Sequence, residues 1–246
     1  MKQLVYFVLV MTLFLSCKKP NQRKCFKSEG ESIFKEINLP SFDHLLLKEN
    51  IEFVLIQDTI EKIIIEGGEN LVDFISATVD NNVLKIENLN KCNFLRYNSS
   101  KIKVHIHFKT LVELQFEGTE SLICKDTLNL SWFSLFVRDG GGSVDLLLNA
   151  SHLYSTISNG YGDFTISGNV NNADLYFQTT GYGDTYGLNV QDTLSIISYT
   201  PSVCKVNSEA SFLKADIRGM GDIWYKGVPD SINLIKTGTG NLIFKN

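Results

Sequence analysis

The second half of the chain repeats a glycine motif at a nearly constant interval, and a repeat of this length restricts the fold more than any local propensity does. Gly118 opens GTES, Gly140 opens GGGS, Gly160 and Gly181 each open GYGD, Gly219 opens GMGD and Gly238 opens GTGN. The gaps are 22, 20, 21, 38 and 19 residues. The gap of 38 is twice 19 and accommodates a degenerate copy at Thr200, where TPSV supplies proline-containing turn chemistry. The apolar residues keep the same frame. Four positions after each start stand Leu122, Val144, Phe164, Thr185, Cys204, Ile223 and Leu242; six after stand Cys124, Leu146, Ile166, Gly187, Val206, Tyr225 and Phe244. Four before stand Leu114, Phe136, Thr156, Phe177, Ile196, Ala215 and Leu234. Thr185 and Gly187 are weak members, so that coil is expected to shift in register.

A period near 20 residues with short strands in every copy predicts an all-β parallel β-helix, or β-solenoid, right-handed by the crossover rule. Each copy makes one coil, and coils stack at about 4.8 Å, so six intervals span roughly 29 Å. The glycines are read as corners, because glycine accepts φ > 0 without steric penalty and because stacked corners leave little room for a Cβ. The Asp or Asn that follows them can bond local backbone N–H groups. A phosphate loop would need a Lys-Ser/Thr pair and a helix after the glycines, whereas here a strand follows.

Ahead of the repeats, IEFVLIQ, KIIIEG, VLKIE and KIKVHIHF read as strands by composition and alternation. Asp80-Asn81-Asn82 between ISATV and VLKIE predicts a hairpin. GENLVDFI is the one helix-like stretch, about two turns long.

The first residues bear on the compartment. Lys2 precedes an apolar run from Leu4 to Leu15 and then Ser16-Cys17. The run is shorter than the about 20 residues a membrane span requires, and it reads as a secretory signal. Cysteine directly after Leu-Ser resembles the bacterial lipobox. The expected organisation is a lipoprotein signal over 1–16, a lipid-anchored tether over 17–24 beginning at the acylated Cys17, and the solenoid domain over 25–246. The chain would then be held at the outer membrane of a Gram-negative-type envelope. Whether it faces the periplasm or the surface is left open, with no acidic tag after Cys17 to direct it outward. A net charge of −4 argues against a nucleic-acid partner.

Chemistry-bearing residues are few. His105 and His107 fall on one face of a strand, but no third ligand for a metal is evident. No nucleophile–base motif can be placed, and no cofactor is expected. Asp163 and Asp184 share a repeat position, as do Tyr161 and Tyr182, which predicts two rings and two carboxylates on adjacent coils. No Lys or Arg is expected in the acidic column. Rigid aromatic area with a polar tip suits a glycan or protein, so Tyr161, Asp163, Tyr182 and Asp184 form the candidate ligand patch.

NIEFVLIQD, IIIEGGENL, LKIENLNKCNFLR, IKVHIHFKTLVELQFEGT and the late GMGDIWYKGVP…GTGNL resemble the bacterial head-GIN-domain auto-transporter adhesin family, over nearly all of the chain from Cys25. The resemblance implies an exported β-helical domain and carries no catalytic residues. Cys25 and Cys92 both sit in segments matching the family and both precede the regular coils, so they are expected to form a disulfide. Cys124 and Cys204 lie in inward columns four coils apart, about 19 Å at the coil spacing, too far to pair. The reading reached from sequence is a non-enzymatic envelope lipoprotein acting as an adhesin or binding scaffold for a glycan or envelope protein. The alternatives are a polysaccharide-acting β-helix enzyme and a structural envelope component.

Overall fold

The computed structural model describes residues 29–90, 101–178 and 180–246. The chain builds β1 (Ser32–Asn38), β2 (His44–Glu49), β3 (Glu52–Gln57), β4 (Lys62–Gly68), the short helix α1 (Glu69–Val72), β5 (Ile75–Asp80), β6 (Val83–Asn88), β7 (Lys103–Phe108), β8 (Glu113–Gly118) and β9 (Leu122–Cys124). The coils follow as β10 (Leu128–Asn129), β11 (Trp132–Arg138), β12 (Ser143–Ser158), β13 (Asp163–Phe177), β14 (Gly183–Thr185), β15 (Leu188–Ser198), β16 (Cys204–Asn207), β17 (Phe212–Ile217), β18 (Ile223–Lys226), β19 (Ser231–Lys236) and β20 (Leu242–Phe244). The expected helix is thus a single turn.

The architecture is an all-β parallel solenoid of about seven turns, with about 20 residues per turn and other strands at its N-terminal end. Each coil runs along one face, bends, returns along a second face and turns a glycine corner. The first face stacks β1, β4, β7, β3, β9, the first half of β12, β13, β14, β16, β18 and β20. The second stacks β5, β6, β2, β8, β11, the second half of β12, β13, β15, β17 and β19. Among the described residues, antiparallel pairs occur only toward the N-terminal end, among β1, β4 and β7 and in the β5–β6 hairpin. That hairpin turns at Asn81 and Asn82, with φ of 49° and 64°. Two consecutive positive φ values match the twist of paired strands, and asparagine tolerates them.

Between the faces lies one apolar core. On the first face Leu122, Val144 and Phe164 stack in register as expected, and all three are buried. On the second face the inward column is Leu114, Leu135, Ser155, Leu175, Ile196 and Ala215, continued by Leu234, which is exposed on the last strand of that face. The fixed spacing from the glycines had placed Phe136 and Thr156 in that column. Both instead point outward, because the corners after β11 and β12 hold an additional residue: Asp139 and Asn159 enter them with φ of 58° and 53°.

The corner glycines themselves do not have positive φ; among the described glycines only Gly30, Gly168 and Gly227 do. Their reason is close approach. A Cβ on Gly140 would lie 2.3 Å from the Gly118 carbonyl oxygen, and one on Gly160 2.5 Å from that of Gly140.

A second correction concerns the two GYGD copies. Phe164 and Phe177 stack inside the coil with ring centroids 5.6 Å apart. The residue above Phe164 has no room for a side chain: a Cβ on Gly183 would come within 2.5 Å of the Phe177 ring and 2.8 Å of Phe164. Gly183 therefore takes the ladder position over Phe164, and Asp184 pairs with Thr165. The register moves two residues from the motif alignment, more than the small shift expected there. The turn at 186–187 helps return the chain to a pairing of Gly168 with Leu188.

At the opposite bend from the glycines, an asparagine ladder runs up the rod. Asn149 Nδ2 donates to Asn129 Oδ1 (3.1 Å), Asn169 to Asn149 (3.0 Å), Asn189 to Asn169 (3.1 Å) and Asn207 to Asn189 (3.0 Å). Its N-terminal end is held by Gln57, whose Nε2 donates to the Asn129 carbonyl and whose Oε1 accepts from the Asn129 N–H.

Candidate binding face

The sequence-predicted residues come first. Cys17, Cys25 and Cys92 lie outside the described residues. Cys204 is fully buried, and burial pushes its thiol up to about 12. Cys124 is half-buried against the core, and its Sγ accepts from the Leu147 N–H at 3.1 Å. His105 and His107 do share the outer side of β7, with Val104, Ile106 and Phe108 inside. Each has a carboxylate neighbour: His105 lies 3.5 Å from Glu66, and His107 Nδ1 lies 2.9 Å from Asp58 Oδ2. The hydrogen bond from His107 holds the Asp58 carboxyl below its usual range. No cluster of three or more His, Cys, Asp or Glu able to hold a metal occurs among the described residues.

The four members of the predicted patch are not superposed coil on coil. Asp163 pairs back to Ser143, and the register places Tyr182, not Asp184, beside it. Burial raises the Asp163 carboxyl above its ordinary range. Tyr161 is the most exposed large apolar side chain of the molecule's described part, at 81%, and Tyr182 is half that exposed, at 42%. Asp184 faces Lys205 on the next coil, a cation that the motif alignment had placed elsewhere, with Nζ and Oδ2 2.9 Å apart. The Asp184 hydrogen bond raises the Lys205 ammonium. Lys205 and Lys226 both approach the Tyr186 ring, at 5.8 and 5.5 Å from its centroid.

The structure assembles a larger aromatic surface elsewhere, on the outer side of the second face. Strand pairing sets Phe136, Thr156, Tyr176 and Ile197 in one outward column, Ser134, Tyr154, Asp174 and Ser195 in the next, and Trp132, His152 and Asn172 in a third. Trp132, half exposed, lies flat on His152, with rings 3.9 Å apart and 2° from parallel. His152 Nε2 lies 2.9 Å from Asp174 Oδ2. Phe136 packs on Tyr154 at 5.8 Å, and Tyr176 meets Tyr199 edge-on at 5.8 Å. The Arg218 guanidinium sits 5.3 Å from the Tyr199 ring centroid and is fixed by Asp216.

Large and small side chains alternate diagonally, so Tyr154 and Tyr176 stand up while Thr156 and Ser195 lie low. The result is an open groove of about 330 Å³, lined by Tyr154, Asp174, Leu175, Tyr176, Ser195 and Ile197. Burial, with Tyr176 and Asp174 close by, raises the Tyr154 hydroxyl above the usual tyrosine range. As a phenol it can donate a hydrogen bond at physiological pH. The groove offers two rigid ring faces, a hydroxyl donor, a carboxylate and a serine, a set that binds by stacking and hydrogen bonding. These residues were hidden in the sequence because the glycine spacing assigned Phe136 and Thr156 to the interior.

With this geometry in place, comparison with known proteins gives the family. A family model described as "Putative auto-transporter adhesin, head GIN domain" matches residues 41–229, and the chain belongs to that family. The fold is similar to a crystal structure of a "putative adhesin" from Bacteroides fragilis, at 23% identity and a TM-score of 0.77, covering 87% of this chain and 97% of that one. It is also similar to a "putative lipid binding protein" from Parabacteroides distasonis, at 21% identity and a TM-score of 0.64, covering 88% and 98%. An adhesin-described structure from the same species aligns at 22% identity and a TM-score of 0.61, covering 86% and 97%. Comparison with curated proteins yields no match.

Proposed function

We propose that the protein is a non-enzymatic, lipid-anchored envelope scaffold that binds a glycan through the outer aromatic face of β11, β12, β13 and β15. The observation that carries this reading is the groove between Tyr154 and Tyr176 with Asp174 at its side. Aromatic rings present apolar area to the C–H face of a sugar, while hydroxyl and carboxylate groups meet its hydroxyls. The carboxylates of this face have partners, Asp174 with His152 and Asp216 with Arg218, an arrangement suited to positioning more than to acid–base work. The adhesin description of the family agrees with an exposed binding surface at the envelope.

The test is a glycan array probed with the full chain in detergent. Tyr154→Ala/Tyr176→Ala is expected to lose binding by tenfold or more, since truncation of a true aromatic anchor costs about 2 kcal/mol. The folded Tyr161→Ser/Tyr182→Ser variant is the comparison arm. If that variant loses binding and the groove variant keeps it, the site belongs at the glycine corner.

The anchor is tested separately. Wild-type chain expressed with an alkyne fatty acid should label and sediment with membranes, and Cys17→Ala should do neither. The proposed Cys25–Cys92 bridge should appear as one link in non-reducing peptide maps, with Cys124 and Cys204 recovered as thiols.

A further inference from the structure

The bend opposite the glycine corners carries a second groove, of about 320 Å³. Its polar lining comes in two rows. Asn129, Asn149 and Asn169 belong to the amide ladder, while Ser151, Asn171 and Gln191 form an outer row beside it. A primary amide has two N–H donors and two acceptor lone pairs. Each inner rung spends one N–H and one lone pair on its neighbours. The remaining donor and acceptor of each rung can serve a ligand, and they recur at the coil spacing of about 4.8 Å.

Two further features separate this groove from a plain structural bend. The ladder and the backbone pairing of β12, β13 and β15 already hold the coils in register here, and the side chains of Ser151, Asn171 and Gln191 form an additional row that is exposed and polar. In addition, among the described residues no charged side chain lines the groove. A phosphate or carboxylate would find no cation there, and an ammonium group would find no anion. A neutral polymer bearing many hydroxyls would find donors and acceptors in alternation.

The groove is also continuous with the aromatic face. Ser151 is followed directly by His152, which carries the stacked Trp132, and Asn171 leads through Asn172 to Asp174. We propose that the asparagine bend is a second binding track, joined to the aromatic face across Trp132 and His152, and that the ligand of the whole surface is a neutral polysaccharide. This rests on the reading of the aromatic face as a glycan site and adds both the ligand's charge class and its path.

The experiment is affinity electrophoresis of the full chain in detergent, through gels containing a soluble mannan, a xylan or a mixed-linkage glucan, beside a gel containing polygalacturonate. Wild type should be retarded by at least one neutral polymer and not by polygalacturonate. Asn171→Ala/Gln191→Ala lies outside the ladder and should melt as wild type does. It should weaken retardation by about tenfold, the loss expected for two hydrogen bonds. Tyr154→Ala/Tyr176→Ala should weaken it at least as much. If the tyrosine variant loses retention and the Asn171/Gln191 variant keeps it, the bend is not part of the site while the aromatic reading stands. Retention by polygalacturonate alone overturns the charge class, and no retention by any neutral polymer overturns the track.

Discussion

Each coil turns twice, once at glycines and once at asparagines; backbone bonds join the coils at both, and only the asparagine bend adds a ladder of side-chain bonds. At the glycine corner the backbones of successive coils touch: Gly142 N–H donates to the Gly118 carbonyl at 3.0 Å, and Tyr161 N–H to that of Gly140 at 3.0 Å. No side chain fits between them. At the asparagine bend the backbone pairing continues, Asn149 against Asn169 and Asn169 against Asn189, and side-chain amides add a second chain of hydrogen bonds across the same interval. The difference teaches where a solenoid of this kind can carry function. The glycine corner uses its own polar groups up in stacking, while the asparagine bend leaves part of every amide facing outward. Substitutions at the two corners should therefore differ in severity.

Both corners depend on the core between them, and breaking it gives the largest effect. Ile196 is fully buried in the inward column of the second face. Ile196→Asp would bury an unpaired charge, a cost above about 4 kcal/mol, a large share of the about 5–15 kcal/mol that stabilises an ordinary domain. Loss of the cooperative melt is expected for Ile196→Asp and equally for Ile166→Asp, whereas Thr165→Asp, on the exposed side of the first face, should fold. Equal tolerance at all three would refute the register on both faces.

Next in size is the glycine corner. Gly140→Val places a branched side chain where even Cβ meets the Gly118 carbonyl oxygen at 2.3 Å. The opposing atom is backbone and cannot swing aside. A cost of about 3 kcal/mol is expected, seen as a fall in Tm of roughly 6–12 °C. The matching break at the other corner, Asn169→Ala, removes one rung and its bonds to Asn149 and Asn189. Its partners stay within reach of water, so about 1 kcal/mol is the expected loss. Chemical denaturation with a common m-value would measure both. An Asn169→Ala loss as large as that of Gly140→Val would mean that the two corners are equivalent.

How much of this was legible in the sequence follows from the same contrast. Glycine spacing gave the coil number and the period, and Leu122, Val144 and Phe164 stack where that spacing put them. The hairpin at Asn81-Asn82 and the outward pair His105 and His107 also follow from local pattern alone. The aromatic face was not legible, because the corners vary in length. Leu135 and Ser155 precede their glycines by five residues and Ala215 and Leu234 by four, and an offset of one residue turns a strand's side chains to the other face. Ser155, buried in an otherwise apolar column, hides that register further. The expected superposition of Asp163 with Asp184 does not occur, for a packing reason, the Phe164–Phe177 pair that Gly183 covers. The asparagine ladder was present at 129, 149, 169 and 189 at intervals of 20, but a search for apolar columns passes over it.

The smallest effect expected is also the sharpest check on why the glycines are there. Gly141 sits in the same corner as Gly140, between two glycines that cannot accept a side chain. A Cβ built on Gly141 meets nothing within 4 Å, and its φ lies outside the left-handed region. The position is exposed, and its N–H, which bonds the Gly118 carbonyl at 3.2 Å, is kept by alanine. The folded state should then lose nothing on substitution, while the unfolded chain loses conformational freedom. Gly141→Ala is expected to stabilise by about 0.5 kcal/mol, a rise in Tm of roughly 1–2 °C. If conformational freedom were what the corner demands, Gly141→Ala would destabilise along with Gly140→Val. If close approach is what it demands, the two adjacent substitutions move stability in opposite directions.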